Sequence, residues 1–144
     1  MKLNAKVLIF DCFGVLVSRQ PSSENLFEYI WQKDQNLLNF IRKNKAKGSK
    51  IGVLSNVARY QFNQLFSKEE QEELFDFLVF SGEVGFSKPS KEIFEIAIDK
   101  SEACLNEIYF FDDSWQNVEA AKKLGINAFL YQNWNEFSKE FKEE

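Results

Sequence analysis

The sequence predicts a three-layer α/β fold with a mainly parallel five-stranded sheet. Short apolar runs alternate with amphipathic segments along the chain, the pattern of strand–helix–strand units. The apolar runs are continuous rather than alternating, which marks strands covered on both faces. The chain has 144 residues. A domain of that size buries roughly 68–70% of its unfolded surface and needs no staple.

The elements follow in order. Val7–Phe10 (VLIF) is the first expected strand. Residues 25–32 space Leu26, Phe27, Ile30 and Trp31 along one side of a helix, with Ser22 or Ser23 as its cap. Residues 36–45 carry Leu37, Leu38, Phe40 and Ile41 on a second helix, and residues 51–54 (IGVL) form the second strand. A helix over 58–66 and a solvated helical face over the charge run 68–73 lead to the third strand, Phe77–Phe80. The helix over 90–99 takes Pro89 at its first position. Residues 108–111 (IYFF) are the fourth strand, followed by a helix over 115–124 that Gly125 stops. Residues 128–131 are the fifth strand. A helix over 134–141 closes the chain, its stripe of Trp134, Phe137 and Phe141 packing on the sheet or forming a dimer interface.

Composition removes several classes of chemistry. Hydrophobic residues make up 44% and charged residues 28%, as in globular proteins, and 16 Phe predict a Phe-rich core. The net charge of −4 disfavours nucleic acid as a partner. With no histidine, a Ser-His-Asp triad, a Cys-His dyad and a His-ligated zinc are all excluded. Two cysteines, Cys12 and Cys104, are too few for a thiolate zinc site and read as reduced thiols of a cytoplasmic protein. The start of the chain does not read as a signal peptide, and no run approaches the roughly 20 apolar residues of a membrane span. Chemistry must therefore rest on Asp, Glu, Lys, Arg, Ser and a hard metal ion.

In parallel α/β sheets, ligands bind outside the carboxyl ends of the strands. There the sequence places Asp11-Cys12-Phe13-Gly14, then Ser55-Asn56, then Lys88-Pro89, then Asp112-Asp113-Ser114. Singly, each has an ordinary explanation: Asp11 as a strand exit, Ser55 or Asn56 as a helix cap, Lys88 as a solvated lysine, Asp113 or Ser114 as a helix cap. Together they bring two or three carboxylates, a hydroxyl and an ammonium to one sheet edge. Carboxylates from different strands repel unless a cation lies between them, and an all-oxygen ligand set favours Mg²⁺ over zinc or copper. A lysine and a hydroxyl beside such an ion suit a phosphoryl group, and a central carboxylate can act as nucleophile.

DxxGVL, LSN, a KP dipeptide opening a helix and FFDDSxxNVxAAxxLG, in that order, resemble the four motifs of the haloacid dehalogenase superfamily. The resemblance implies a Rossmann-like core over residues 1–144 with a minimal cap, residues 17–33 forming a short lid or flap. It implies a phosphatase in which Asp11 attacks phosphorus and forms an aspartyl-phosphate. Mg²⁺ is then held by Asp11, the backbone carbonyl of Phe13 and Asp113, with Asp112 a further acidic contact. Ser55 and Asn56 bind the phosphoryl group, and Lys88 neutralises charge on it and on Asp11.

This chain departs from the pattern at two points. Phe13 stands where such phosphatases carry a second aspartate, the general acid and base, whose loss costs roughly 10²–10⁴ in rate. Alkyl phosphates should suffer most; acyl, anhydride and aryl phosphates should suffer less. Secondly, neither the 44 residues from Asp11 to Ser55 nor the 33 from Ser55 to Lys88 hold a cap domain. The substrate is therefore large, or a partner (a second copy or another protein) closes the site. Phe27, Tyr29 and Trp31 of the lid segment either serve there or form the buried face of one helix. Arg19, Arg59, Trp115 and Gln116 lie near the expected rim, where solvated arginines are the plainer reading of the first two, and Cys12 reads as a small buried side chain. The alternative function is a degenerate member that keeps fold and metal but works as a binding or regulatory module. A dehalogenase stands lower, because metal-free dehalogenases replace the acids of the fourth motif. A phospho-acceptor receiver domain stands lowest, because its acidic pair belongs after the first strand.

Overall fold

The computed structural model describes residues 5–25 and 27–141. The chain runs β1 (Val7–Phe10), β2 (Val17–Pro21), β3 (Tyr29–Lys33), α1 (Gln35–Ala46), β4 (Lys50–Ser55), α2 (Arg59–Asn63), α3 (Lys68–Leu74), β5 (Phe77–Phe80) and α4 (Ser81–Val84). It continues with α5 (Lys91–Ser101), a 3₁₀ turn (Leu105–Glu107), β6 (Ile108–Asp112), α6 (Trp115–Lys123), β7 (Asn127–Leu130) and α7 (Trp134–Glu140). Five strands form one sheet in the order β5-β4-β1-β6-β7, with every neighbouring pair parallel.

Side chains of a strand alternate between faces, and β1 shows the result. Leu8 and Phe10 join a core with Leu37 of α1, Phe62 of α2 and Phe137 of α7. Val7 and Ile9 join a second core with Ile93 and Phe94 of α5 and Val118 of α6. Both faces of the sheet are thus covered, which is why its strands read as unbroken apolar runs. In α7, Phe137 and Phe141 are buried and their rings meet Phe111 edge-on at 5.2 and 5.3 Å. The stripe packs on the sheet, which removes two of its three residues from any dimer interface.

The expected helix over 25–32 is absent. Val17–Pro21 and Tyr29–Lys33 pair antiparallel as a separate two-stranded hairpin. The apolar spacing that suggested a helical face carries no burial: Phe27, Tyr29, Ile30 and Trp31 are all exposed. A helix there would have had no core on which to lay that face. Aromatic and β-branched residues at 29–31 instead suit a strand whose backbone groups are satisfied across the hairpin. Ser22 accepts a local bond from the Glu24 amide rather than capping a helix. Leu26 lies outside the described residues.

Two helix starts also differ from expectation. Ala58, not Ser55 or Asn56, is the N-cap of α2, and Gln61 accepts from its amide. Pro89 precedes Ser90, the N-cap of α5, instead of occupying the first helical position. Gly125 does follow α6 with φ +96°, the left-handed stop that a glycine adopts without strain.

Candidate active site

The register of the sheet assembles the site. Phe10 pairs with Val53 on one side and with Phe111 on the other. One residue further on, Asp11 is level with Leu54 and Asp112. Lys88 reaches this point across the end of the sheet. Its ammonium lies 2.9 Å from Asp11 Oδ1 and donates to Asp112 Oδ2 at 2.6 Å and to the Leu54 carbonyl at 2.9 Å. The lysine side chain is 1% exposed and the carboxylates of Asp11 and Asp112 are 10% and 0% exposed, so this is a buried ion triad.

Several groups hold that triad in place. The Lys88 amide donates to Asn56 Oδ1 at 2.8 Å, and Asn56 Nδ2 donates to the Lys88 carbonyl at 3.0 Å. Asn56 thus positions the Lys88 backbone through both its amide oxygen and its amide nitrogen. Asp112 Oδ2 also accepts from Asn117 Nδ2 at 3.1 Å, and its Oδ1 accepts from the Ser114 amide at 2.8 Å. Asp11 Oδ1 accepts from the Cys12 amide at 2.8 Å. Asn117 was not singled out among the candidates. Its signal was its place in the first turn of the helix after the acidic pair, where a side chain points back to the strand end.

Asp113 completes the acidic cluster: one carboxylate oxygen from each of Asp11, Asp112 and Asp113 lies within 4.8 Å of the others. Gly14 makes room for Asp113. A Cβ there would stand 2.1 Å from Asp113 Oδ2, and its φ of +93° disfavours any side chain. Ser55, one residue past Leu54, is buried, and its hydroxyl makes no hydrogen bond to a described residue. Phe13 occupies the turn after Asp11 with its ring edge-on to Trp31 of the hairpin, centroids 4.7 Å apart.

Electrostatics follow from this crowding. Burial pushes Asp11 up to about 7; Lys88 opposes the shift, and the charges of Asp112 and Asp113 add to it. Asp113 is also raised, by burial and then by the Asp112 charge. Three carboxylates cluster with one ammonium, which pairs with Asp11 and Asp112, and this leaves the cluster short of positive charge. All of its ligand atoms are oxygens, and the buried Cys12 thiol is not part of the cluster. The donor set therefore fits a hard divalent cation such as Mg²⁺. Asp11 and Asp113 are the freer ligands, because both oxygens of Asp112 are already bonded. The structure thus brings Asp11, Ser55, Lys88, Asp112 and Asp113 to one sheet edge, with Phe13 beside them. Of the rim arginines, Arg59 forms a two-pronged ion pair with Glu83, and Arg19 lies over the Tyr29 ring at 4.3 Å. Trp115 is exposed at the start of α6.

Known proteins resemble this chain in sequence or in fold. A family model described as haloacid dehalogenase-like hydrolase matches residues 31–131. A drimenol cyclase of Aspergillus calidoustus is 29% identical over 99 residues, 68% of this chain and 19% of that protein. A sesquiterpene phosphatase of Aspergillus oryzae is 28% identical over 123 residues, 81% of this chain and 63% of that one. The chain thus spans between a fifth and two thirds of these curated relatives. Among solved structures, a HAD family enzyme of Bacteroides thetaiotaomicron in complex with magnesium and inorganic phosphate superposes with a TM-score of 0.79 at 17% identity, covering 96% of this chain and 100% of that one. At that identity the superposition shows the shared fold. Among the described residues, no helix is long and apolar enough to cross a membrane.

Proposed function

The chain belongs to the haloacid dehalogenase-like hydrolase family, and we propose that it is a Mg²⁺-dependent phosphohydrolase acting through an aspartyl-phosphate on Asp11. The observation that carries this reading is the buried Lys88 ammonium held between Asp11 and Asp112, with Asp113 beside them. A dianionic phosphate cannot approach Asp11 unless positive charge offsets the repulsion. Lys88 supplies one such charge at a fixed point, and Asn56 and Asn117 keep that point from moving. The Ser55 hydroxyl donates to a phosphoryl oxygen. Asp11 Oδ attacks phosphorus, the bond to the leaving oxygen breaks, and water then releases phosphate and restores the carboxylate. When bound by Asp11, Asp113 and the Phe13 carbonyl, with Asp112 behind them, Mg²⁺ supplies charge neutralisation and orientation of the phosphoryl oxygens. The similarity to a sesquiterpene phosphatase supports phosphoester chemistry.

The hairpin strands within 17–33 serve as a short lid on this domain, which leaves the mouth open to a larger phosphorylated substrate or a covering partner. Free Cys12 and Cys104 suit a cytoplasmic setting. Phe13 favours a second reading, a metal-bound binding module without turnover, because its ring can neither give nor take a proton. The intact pair Asp112-Asp113 weighs against dehalogenase chemistry. The test is phosphate release from acetyl phosphate and p-nitrophenyl phosphate with and without Mg²⁺, using Asp11→Asn as control. Mg²⁺-dependent release that the variant abolishes supports the phosphohydrolase; no release above the variant, from folded protein, leaves the binding module.

A further inference from the structure

We infer that the substrate is the phosphate monoester of a phenol, its ring laid on the hairpin face that carries Trp31; this rests on the phosphohydrolase reading above. Two independent observations converge on it. The first is that, among the described residues beside Asp11, no side chain outside the carboxylate cluster is free to protonate the leaving group. The chain has no histidine, and Phe13 fills the turn beside Asp11. Lys88 Nζ has three oxygens within 2.9 Å, one for each of its protons. A leaving oxygen stable as an anion is therefore favoured. A phenol, with a pKa of about 10, departs as an anion far more readily than an alkanol, which resembles water at about 15.7.

The second observation is the surface next to Phe13. In the hairpin, Trp31 lies opposite Arg19, Tyr29 opposite Pro21 and Lys33 opposite Val17, so these residues share one face. At its base Val17 is buried in the core, and Trp31 meets the Phe13 ring. The face therefore continues outward from the Asp11 turn. Trp31 and Tyr29 remain 43% and 57% exposed. Arg19 covers the Tyr29 ring and makes no ion pair among the described residues. Flat aromatic surface with one delocalised cation favours another aromatic ring over an aliphatic chain or a sugar.

The chemistry balances without a further reactant. An Asp11 carboxylate oxygen bonds to phosphorus as the phosphorus–aryloxygen bond breaks, and the phenoxide leaves with the electron pair and takes a proton from solvent. Water then attacks the phosphorus of the aspartyl-phosphate, yielding phosphate, the Asp11 carboxylate and a proton to solvent.

The experiment compares kcat/KM with Mg²⁺ for 1-naphthyl phosphate, cyclohexylmethyl phosphate and acetyl phosphate in the wild type, Trp31→Ala and Trp31→Phe. The naphthyl ester should be cleaved at least about 100-fold faster than the cyclohexylmethyl ester, the gap that a missing general acid leaves. Trp31→Ala should lower the naphthyl-to-acetyl ratio about tenfold, the worth of one aromatic stack, and Trp31→Phe should retain most of it. Comparable rates for the naphthyl and cyclohexylmethyl esters, or a ratio that Trp31→Ala leaves unchanged, would overturn the inference while the hydrolase stands. If Trp31→Ala does not fold, Tyr29→Ala and Trp31→Phe read the same ratio. If none of the three phosphates is cleaved, the phosphohydrolase reading fails and this inference with it.

Discussion

Lys88→Met removes the charge but keeps the stem, so it isolates the ammonium from its packing. The lysine side chain is 1% exposed, and its partners Asp11 and Asp112 are 10% and 0% exposed. Deleting one member of a buried ion pair costs about 3–5 kcal/mol, because the remaining charge is stranded away from water. For a domain near this size each kcal/mol moves the midpoint by about 2–4 °C, so Tm should fall by about 6–20 °C at pH 7 without metal. The assay is thermal unfolding followed by circular dichroism in EDTA at pH 7 and pH 5. At pH 5 Asp11, raised to about 7 even with the lysine present, is already protonated in the fold, so less charge is stranded and the deficit should shrink. Excess Mg²⁺ at pH 7 should restore part of the loss, since a second cation then faces the carboxylates. A variant within about 1 kcal/mol of wild type at pH 7 without metal would refute the reasoning, because exposed ion pairs are worth that little.

Three further outcomes follow from the same geometry. Asp11 binds its proton more tightly folded, at about 7, than at its ordinary 3.8, so without metal the native state holds more protons and stability falls as pH rises through that window; urea midpoints at pH 5 and 8 should show the fall, and Asp11→Asn should flatten it. Gly14→Ala puts a Cβ 2.1 Å from Asp113 Oδ2 on a backbone with φ +93°; calorimetric titration should show Mg²⁺ affinity reduced at least tenfold, and unchanged affinity would disconnect Gly14 from the metal site. Phe13→Asp should raise kcat for alkyl phosphates by about 10²–10⁴, the worth of a positioned acid, in a steady-state assay with Mg²⁺.

The sheet was legible because burial on both faces leaves a one-dimensional trace: β1, β4, β5, β6 and β7 each overlap an apolar run. The convergence of Asp11, Ser55, Lys88, Asp112 and Asp113 was legible for a related reason. Strand ends in a parallel sheet come to one edge whatever lies between them. What escaped was decided by contacts that periodicity does not encode. The hairpin escaped because its apolar residues are exposed, and exposure severs the link between spacing and a buried face. The bond between Asn56 and the Lys88 backbone escaped because an asparagine at a strand end reads as a helix cap or a phosphoryl contact, whereas this partner lies 32 residues away. Asn117 and Gly14 act on Asp112 and Asp113 through side-chain direction and a positive φ, which the sequence shows only as an asparagine and a glycine at suggestive spacings.

Phe13 couples the chemistry to the hairpin, and magnitudes decide which effect dominates. Its ring and that of Trp31 form an edge-on pair at 4.7 Å, worth about 0.5–1.5 kcal/mol beyond the area it buries. An aspartate at this position gives up that anchor, places a fourth carboxylate beside Asp11, Asp112 and Asp113, and frees the hairpin to move. In exchange it supplies a proton donor worth about 3–5 kcal/mol of barrier for a poor leaving group. For an alkyl phosphate the second quantity exceeds the first, so turnover rises despite the looser hairpin. For an acyl or aryl phosphate the leaving oxygen needs no proton, only the loss remains, and the same substitution should lower kcat/KM. The opposite signs on the two substrate classes separate a site that uses Phe13 from one in which the phenylalanine merely records lost activity, since a degenerate site has no aryl activity to lose.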